Sequence, residues 1–303
     1  MNMDRRADIT IVIPVHNRAE IVGRTLASVE AQTLRPLAVV LVDNASTDGT
    51  ADTLRSWAAR PHGLDVRVVD EPVPGAASAR NRGLSEVCTE WTMFFDSDDT
   101  MHPDHCQRAL EAAKGADIVG WDVRYHCDGT TSRCRFYADD AQFHSLFHGS
   151  MATQRYMART ALFRRAGGWN SSAFYWNDIE LGARLLALNP RIRHAGAGIT
   201  VDVYAQEQSI TGTRFSDRAD KAMAPLEALR LTLGPERAFW VDVKAAILAA
   251  DCAKEGAADI AKRIMRTTLA RTGSRRRRMI LRAAYAWRRA GLRGAARILR
   301  PLL

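Results

Sequence analysis

The amino-acid sequence predicts an α/β protein in which a doubly wound, mostly parallel central sheet is flanked by helices and followed by a helical C-terminal extension. The first observation is that short β-branched runs, such as residues 9–13, alternate with segments whose apolar residues recur at helical spacing. The second is that the chain from about residue 214 onward is rich in Ala, Leu and Arg. Such regular alternation indicates parallel strands joined by right-handed crossovers.

Local signals bound each predicted element. Residues 9–13 form a first buried strand that Pro14 ends, and residues 37–42 form a second strand that Asp43 and Asn44 close. Further strands are expected at residues 66–69, 91–95, 117–123 and 133–137, and one that ends near residue 204. Helices are expected at residues 50–59, 76–87 and 178–188, and others begin near residues 21 and 103. We expect two parts, residues 1–213 as the catalytic domain and 214–303 as a helical, basic region.

Length and composition are those of a folded globular protein. The 303 residues suit one large α/β domain with an appendage, and hydrophobic residues make up 47% of the chain. The five cysteines are odd in number and have no close-paired zinc spacing, which favours reduced thiols. No apolar run approaches the about 18 residues of a membrane span, and no signal-peptide core is apparent. We therefore expect a cytoplasmic protein, with any membrane contact peripheral and at the inner face of the cell membrane.

Positive charge is concentrated at the C-terminal end. From Ile260 onward there are 14 Lys and Arg residues and no Asp or Glu, and subtracting 14 from the net +9 leaves −5 for residues 1–259. Arginines from Arg275 to Arg300 interleave with apolar residues, which suits an anionic membrane surface or packing against the acidic body or another subunit. A pI of 9.7 also raises the possibility of a nucleic-acid-binding protein. Because the body is acidic and no reading motif is present, no specific nucleic-acid partner is expected.

Polar residues follow three of the predicted parallel strands. Asn17 follows the first strand, Asp43 the second, and Asp96-Ser97-Asp98 the fourth. In open parallel sheets, ligands bind beyond these carboxyl ends. Two carboxylates on a rigid strand end suit Mg²⁺ or Mn²⁺ bound together with a diphosphate, although an acidic turn before a helix would look the same. No G-x-G-x-x-G motif is present, which disfavours a dinucleotide-dependent oxidoreductase.

Four sequence blocks, in order and in register, closely resemble the family 2 glycosyltransferases, which have the nucleotide-sugar-binding GT-A fold. They are Ile11-Val12-Ile13-Pro14-Val15-His16-Asn17, residues 42–50, residues 75–83 and Phe95-Asp96-Ser97-Asp98-Asp99. The resemblance covers about residues 8–210. It is more specific than any single block, each of which could be a turn or a capped helix.

The resemblance implies a donor site and a metal site. Asp43 would accept a hydrogen bond from the N–H of a uracil-like base, and Arg80 would help position the donor. The other donor-binding residues that it implies are Pro14, Val15, Asn17, Asp96 and Ser97. Asp98 would bind Mn²⁺ or Mg²⁺ directly. Asp96 would contact the ribose or sugar, or the metal through water.

A general base is implied by the second half of the resemblance. Residues 167–170 and 176–185 resemble a Gly-Gly-aromatic turn and an acidic helix start, which makes Asp178 the base. A helix dipole would also favour an acid at this position. Asn177 stands where relatives commonly carry Glu, and residues 204–211 contain none of the His that many relatives have. A third protein ligand to the metal is therefore unassigned.

The implied activity is an inverting transfer of a sugar from a nucleoside-diphosphate sugar, of the UDP type, to an acceptor hydroxyl. The acceptor would be a saccharide or a lipid-linked molecule in cell-surface polysaccharide or glycolipid synthesis. The alternatives are a sugar nucleotidyltransferase, which would release pyrophosphate, a basic nucleic-acid-binding protein, and a donor-binding protein without turnover.

Overall fold

A computed structural model of the chain describes residues 6–205, 214–292 and 294–302. The strands are β1 (Ala7–Val15), β2 (Pro36–Asp43), β3 (Asp65–Asp70), β4 (Trp91–Phe94), β5 (Thr100–Met101), β6 (Ile118–Gly120), β7 (Val123–Cys127), β8 (Thr130–Cys134), β9 (Tyr156–Arg159), β10 (Ile192–His194) and β11 (Val201–Tyr204). The helices are α1 (Val22–Glu30), α2 (Thr50–Ala58), α3 (Ala76–Ser85), α4 (His105–Ala112), α5 (Ala141–His148), α6 (Thr160–Arg165), α7 (Asn177–Ala187), α8 (Ala219–Lys254), α9 (Ala258–Ala270), α10 (Arg275–Arg289) and α11 (Ala295–Leu299).

The main sheet has seven strands in the order β10-β6-β9-β4-β1-β2-β3. All neighbours are parallel except β9, which runs antiparallel to both β4 and β6. A second sheet has the order β5-β11-β7-β8. The predicted fold class, a doubly wound and mostly parallel sheet with flanking helices, is therefore confirmed.

Some element boundaries differ from the sequence prediction. The strand expected at residues 117–123 is two strands, β6 in the main sheet and β7 in the second sheet, separated at Trp121 and Asp122. The strand β9 was not predicted. Its four residues, Tyr-Met-Ala-Arg, show neither alternation nor β-branching, and it is their pairing between β4 and β6 that makes them a strand.

The central strands are apolar throughout because both faces of the sheet are covered. Ile11 and Ile13 belong to the core on one face, whereas Val12 belongs to the core on the other. Helix α3 lies unusually close to that second face. A Cβ atom on Gly83 would be 2.3 Å from the Val12 side chain, so this position requires glycine. The close approach fixes α3, which carries Arg80, against the sheet.

The C-terminal helices pack onto the α/β body. One core cluster joins Leu146 of α5 and Ile179 of α7 to apolar residues of α8 and α9, including Leu226 and Leu248. Helix α8 is interrupted at Gly234, whose φ of 70° and ψ of 177° are not helical, directly before Pro235. The predicted helical extension is thus present. The boundary at residue 213 stays a prediction, since residues 206–213 lie outside the described residues.

Helix α10 has one buried and one exposed face. Ile280 and Leu281 are buried against α8, and Arg288 pairs with Asp251 at 2.7 Å. Its arginines on the other face are exposed, as is Met279. No helix within the described part of the chain is long and apolar enough to cross a membrane.

Candidate active site

The carboxyl ends of β1, β2 and β4 meet at one edge of the main sheet. Strand β1 lies between the other two, Val15 pairs with Asp43, and the Phe95 N–H donates to the Val12 carbonyl at 2.9 Å. The structure thereby brings together three of the segments singled out in the sequence. We call residues 14–17, 43–48 and 96–98 the acidic edge.

Asn17 shapes the loop that follows β2. Its φ of 50° places it in the left-handed region, which asparagine tolerates better than most residues. Its Oδ1 accepts a hydrogen bond from the Thr47 N–H at 2.8 Å, and its own N–H donates to the Ser46 hydroxyl at 3.1 Å. The two loops are therefore held together by Asn17, whose side-chain oxygen is already used for this purpose.

Asp43 has one oxygen engaged and one oxygen without a partner. Its Oδ2 accepts the N–H of Ser46, three residues on, at 3.3 Å and so stabilises the turn after β2, while Oδ1 is buried and accepts no hydrogen bond from any described residue. Only 6% of the residue is exposed. A buried carboxylate oxygen without a donor is costly, so a ligand N–H at this position would be stabilising. The turn and the binding of a nucleotide base by Asp43 are compatible, because they use different oxygens of the carboxylate.

Other predicted donor-binding residues have less accessible side chains. Val15 is packed in the core, and its carbonyl accepts the Asn44 N–H at 2.8 Å. Ser97 is also buried, whereas Pro14 is half-buried. The Val15 side chain is therefore not placed to touch a donor. Any contribution that it makes to the acidic edge is through the position of the backbone.

Arg80 connects α3 to the acidic edge. Its Nη2 donates to Asp96 Oδ1 at 2.8 Å, and its guanidinium lies 4.4 Å from the centre of the Trp169 ring. The Arg80 side chain is only 7% exposed, and its Nε is buried without a partner among the described residues. A cation fixed between a carboxylate and an aromatic face has little freedom to move.

The position of Trp169 depends on Asn81. The Asn81 amide donates to the Trp169 carbonyl at 2.8 Å and accepts the Trp169 N–H at 2.7 Å. A Cβ on Gly168 would lie 2.6 Å from the Asn81 Oδ1, and the φ of Gly168 is 69°. The two sequence blocks, about 90 residues apart, thus form one unit that supports Arg80.

Asp98 lies in an environment of concentrated negative charge. Burial, and then the charge of Asp96, raise the pKa of Asp98, while the Arg18 guanidinium at 3.9 Å lowers it. Arg24 donates to the Asp98 backbone carbonyl. A divalent cation beside these carboxylates would offset their mutual repulsion.

The protein ligands available to such a cation are few. Within residues 6–205, 214–292 and 294–302, no group of three or more His, Cys, Asp or Glu side chains is placed to hold a metal ion. Residues 206–211, where no His was found in the sequence, lie outside the described residues. A site formed by Asp98 and Asp96 is suited to Mg²⁺ or Mn²⁺ if phosphate oxygens and water complete the coordination.

Asp99 has a structural task that its sequence position did not reveal. Its Oδ2 accepts the Gln154 amide at 2.9 Å, and its Oδ1 accepts the Tyr204 N–H at 2.9 Å. Burial, followed by the charges of Asp96 and Asp98, raises its pKa well above the usual range. Asp99 therefore anchors the acidic turn to β11.

Asp178 lies at the start of α7, where Trp176 has a φ of 51°. Its Oδ1 accepts the Ile179 N–H at 2.8 Å, and Oδ2 accepts no hydrogen bond from the described residues. Burial raises the pKa of Asp178, against the opposing positive charges of Arg80 and Lys244. The positive charge of Arg80, which pairs with Asp96 of the acidic edge, therefore also acts on this half-buried carboxylate.

Lys244 was missed by the sequence analysis. This α8 residue donates to the Leu146 carbonyl at 2.7 Å and lies 4.6 Å from the centre of the Trp176 ring. Burial lowers the pKa of Lys244 to about 8, although Asp178 opposes that shift. The available signal was a lysine within a mainly apolar stretch of α8, residues 239–250, whose only other charged residue is Asp242.

Glu180, the second acid of α7, is structural. It is buried and receives two hydrogen bonds from Arg184, at 2.8 and 2.6 Å. Arg184 also donates to the Gly168 carbonyl at 2.7 Å, so the pair joins α7 to the Gly-Gly turn. Asn177 is half-buried beside Asp178.

The fold and the acidic edge together define the class of the protein: it has the GT-A fold. Solved structures establish this. Staphylococcus aureus TarS 1–349 in complex with UDP-GlcNAc matches with a TM-score of 0.61 at 15% identity, over 97% of this chain and 91% of that one. The mannosyltransferase PcManGT of Pyrobaculum calidifontis, in complex with GDP-Man and Mn²⁺, matches with a TM-score of 0.54 at 19% identity, over 94% and 88% of the two chains.

The sequence family follows from a second comparison. The family model described as glycosyl transferase family 2 matches residues 10–169, more than half of the chain. The chain therefore belongs to glycosyl transferase family 2. Several individual members match it over less than half of its length.

Two relatives illustrate this. Glycosyltransferase AglE of Haloferax volcanii is 30% identical over 133 residues, 42% of this chain and 43% of that protein. The succinoglycan biosynthesis protein ExoW of Rhizobium meliloti is 35% identical over 130 residues, 40% of each chain. The matches span about two fifths of the length of these relatives.

Proposed function

We propose that the protein is an inverting glycosyltransferase that moves a sugar from a nucleoside-diphosphate sugar, a UDP-sugar, to an acceptor hydroxyl. The observation that carries this proposal is the position of Arg80, which pairs with Asp96 and acts electrostatically on Asp178. One buried cation thus bonds to an acidic strand end and also acts electrostatically on a carboxylate suited to base catalysis. A leaving diphosphate and an attacking hydroxyl need these two environments side by side.

The donor nucleotide is assigned to the acidic edge. The unpartnered Asp43 Oδ1 would accept the N–H of a uracil ring, beside Pro14 and Asn17. Arg80 would face the diphosphate, with Asp96 near the ribose or sugar. The TarS complex with UDP-GlcNAc is consistent with this choice of donor because it has the same fold.

A divalent cation, Mn²⁺ or Mg²⁺, would be held by Asp98 and, directly or through water, by Asp96. The chemistry that it supplies is neutralisation of charge on the diphosphate. Burial and then the charge of Asp96 raise the pKa of Asp98, which fits this assignment because a cation would stabilise both carboxylates as anions. The Arg80 guanidinium is a second, fixed positive group beside the leaving group.

Asp178 is the general base in this proposal. Its Oδ1 is oriented by the Ile179 N–H, which leaves Oδ2 to take the proton of the acceptor hydroxyl. The acceptor oxygen then forms a bond to the anomeric carbon while the bond from that carbon to the diphosphate oxygen breaks. A single displacement inverts the anomeric configuration and leaves the nucleoside diphosphate as an anion.

The acceptor and the setting are further parts of the proposal. We assign a saccharide or lipid-linked acceptor, in cell-surface polysaccharide or glycolipid synthesis, a setting also indicated by the name of the succinoglycan biosynthesis relative. The exposed face of α10, with Arg275, Arg276, Met279, Arg282 and Arg289, would rest on the anionic inner face of the cell membrane. Residues 1–213 would form the catalytic domain and 214–303 the region that makes this contact, in a cytoplasmic protein.

Thermal-shift measurements with UDP, GDP, CMP and dTDP, each with and without Mn²⁺, test the donor assignment. We expect the largest stabilisation from UDP with Mn²⁺. Incubation with the matching sugar nucleotide and acceptor saccharides should then release UDP, and the proton coupling at the new anomeric centre should report inversion. Release of pyrophosphate would identify a nucleotidyltransferase, and retention of configuration would remove the single-displacement mechanism.

A further inference from the structure

A separate cavity of about 470 Å³ lies between the residues after β8, helix α5 and helix α11. Three arginines, two histidines and a tyrosine line it: Arg135, Arg297, Arg300, His144, His148 and Tyr137. We call this cavity the basic pocket. It includes no residue of the acidic edge, and it is formed jointly by the α/β body and the C-terminal extension.

The charge of the basic pocket is largely uncompensated. Arg300 pairs with Asp140 and also lies 4.9 Å from the centre of the Phe143 ring. Arg135 and Arg297, in contrast, have no acidic partner within the part of the chain that the structure describes. Two guanidinium groups that converge on one cavity without carboxylates raise the local concentration of anions.

The two histidines leave one neutral hydrogen-bond donor for a ligand. Their Nδ1 atoms are 3.0 Å apart, so one ring donates to the other, and the accepting ring carries its hydrogen on Nε2. Tyr137 is stacked on His144 with ring centres 3.8 Å apart. Burial lowers the pKa of both histidines, and for His148 the charges of His144 and Arg297 add to this effect. Entry of an anion would reverse that effect.

We propose that the basic pocket binds a phosphate ester that forms part of the acceptor. Guanidinium groups match phosphate oxygens in charge and geometry, and an imidazole N–H adds a directed donor. The cavity is within the usual size range of sites for organic ligands, so a phosphate with an organic substituent fits better than inorganic phosphate alone.

The assignment to the acceptor depends on the proposed function and on the position of α5. This helix carries His144 and His148 toward the pocket, while the carbonyl of Leu146 receives the hydrogen bond of Lys244, the residue that acts on Asp178. Arg155 fixes the end of α5 through the carbonyls of His148 and Gly149, at 3.3 and 2.7 Å. The pocket and the Asp178 carboxylate are thus linked through α5 and Lys244, and this link is the reason for assigning the phosphate to the acceptor.

Direct binding tests this proposal without turnover. Calorimetry or NMR titration of the full chain with sn-glycerol 3-phosphate should show binding, with shifts of the His144 and His148 imidazole signals. The double variant Arg135→Gln/Arg297→Gln should bind at least about tenfold more weakly, as expected for two lost charge-assisted hydrogen bonds. The matched control is Arg165→Gln/Arg266→Gln, which removes two exposed arginines outside the pocket. It should bind as the unmodified chain does.

Equal loss in both double variants, or no loss in either, would overturn the proposal. Inorganic phosphate that binds as tightly as the ester would also overturn it, because the pocket would then be a general anion site. A phosphate ester could also come from a membrane lipid, and vesicles containing phosphatidylglycerol test this. If only the pocket variant loses vesicle binding, the ligand is a lipid headgroup and not the acceptor. Affinity for UDP with Mn²⁺, measured on the same variants, should be unchanged and tests the proposed donor site independently.

Discussion

The acidic edge and the surroundings of Asp178 are built in different ways. The acidic edge comes from strand ends within the first 100 residues, and its shape is set by short loops in which Asn17 and Asp43 bond to nearby backbone. Asp178 instead depends on the start of its own helix, where Trp176 lies two residues away, and on a distant residue, Lys244 of the C-terminal extension. The residues of the acidic edge and Asp178 itself lie in recognisable sequence motifs, whereas Lys244, which reaches Asp178 only through the packing of α8, does not.

The largest expected effect is a loss of kcat when Asp178 is replaced, with donor binding at the acidic edge retained. Asp178→Asn keeps the size of the side chain and its bond to Ile179 but removes the base, so kcat should fall by about 10²–10⁴-fold. Affinity for UDP with Mn²⁺ should remain, because the acidic edge is unchanged. Initial-rate kinetics and calorimetry on the same preparation measure both quantities. Near-normal kcat would exclude Asp178 as the base.

The opposite pattern is expected for Asp98→Ala. Loss of a direct ligand should weaken UDP binding in Mn²⁺ by at least about 10–100-fold, since loss of a group that only supports a metal ligand already costs about that much, while binding without the metal changes little. Calorimetry with and without Mn²⁺ provides the measurement. Asp65→Ala, at an exposed acid on the edge strand β3, is the matched control. Unchanged metal-dependent affinity in Asp98→Ala would refute the metal assignment.

This contrast also explains which strands and site residues could be predicted from the sequence. The strands β1, β2 and β4 and the convergence of Asp43 with Asp96 follow from β-branched runs and from parallel topology. The strand β9 could not be predicted, since its pairing is antiparallel and entirely tertiary. The structural role of Asp99, which bonds to Gln154 and Tyr204, could not be predicted for the same reason. Its partners are 55 and 105 residues away in the sequence.

Arg80 joins the two regions, so its replacement should affect both moderately. Arg80→Lys keeps the charge but loses the planar contact with Trp169 and the fixed geometry toward Asp96. A loss of about 1–2 kcal/mol of transition-state stabilisation corresponds to about a 5–30-fold fall in kcat/KM. Arg82→Lys, on the exposed side of the same helix, should leave kcat/KM unchanged. If Arg80→Lys, like Arg82→Lys, leaves kcat/KM unchanged, Arg80 acts only through its positive charge.

The smallest expected effect is a shift in the pH dependence of kcat/KM when Lys244, a residue of the C-terminal extension, is replaced. Because burial raises the pKa of Asp178, activity should be lost on acidification at a higher pH than for an ordinary carboxyl, as the base takes up a proton. The positive charge of Lys244 opposes that rise. Lys244→Met should therefore raise the pKa of Asp178 further and move the acid limb of kcat/KM to higher pH, with a change of only about a few-fold at neutral pH.

Charge and packing can be separated at this position. Lys244→Arg retains the charge and should keep the acid limb near that of the unmodified chain, whereas Lys254→Met, at the exposed end of the same helix, should not move it. Lys244→Met also leaves the Leu146 carbonyl without its donor, which costs about 1–3 kcal/mol of stability, so thermal unfolding must accompany the pH profiles. If Lys244→Met is destabilised but has an unshifted acid limb, Lys244 is only a structural support for α5. A shifted limb that Lys244→Arg restores would mean that a residue outside the family motifs, contributed by the C-terminal extension, sets the protonation of the base.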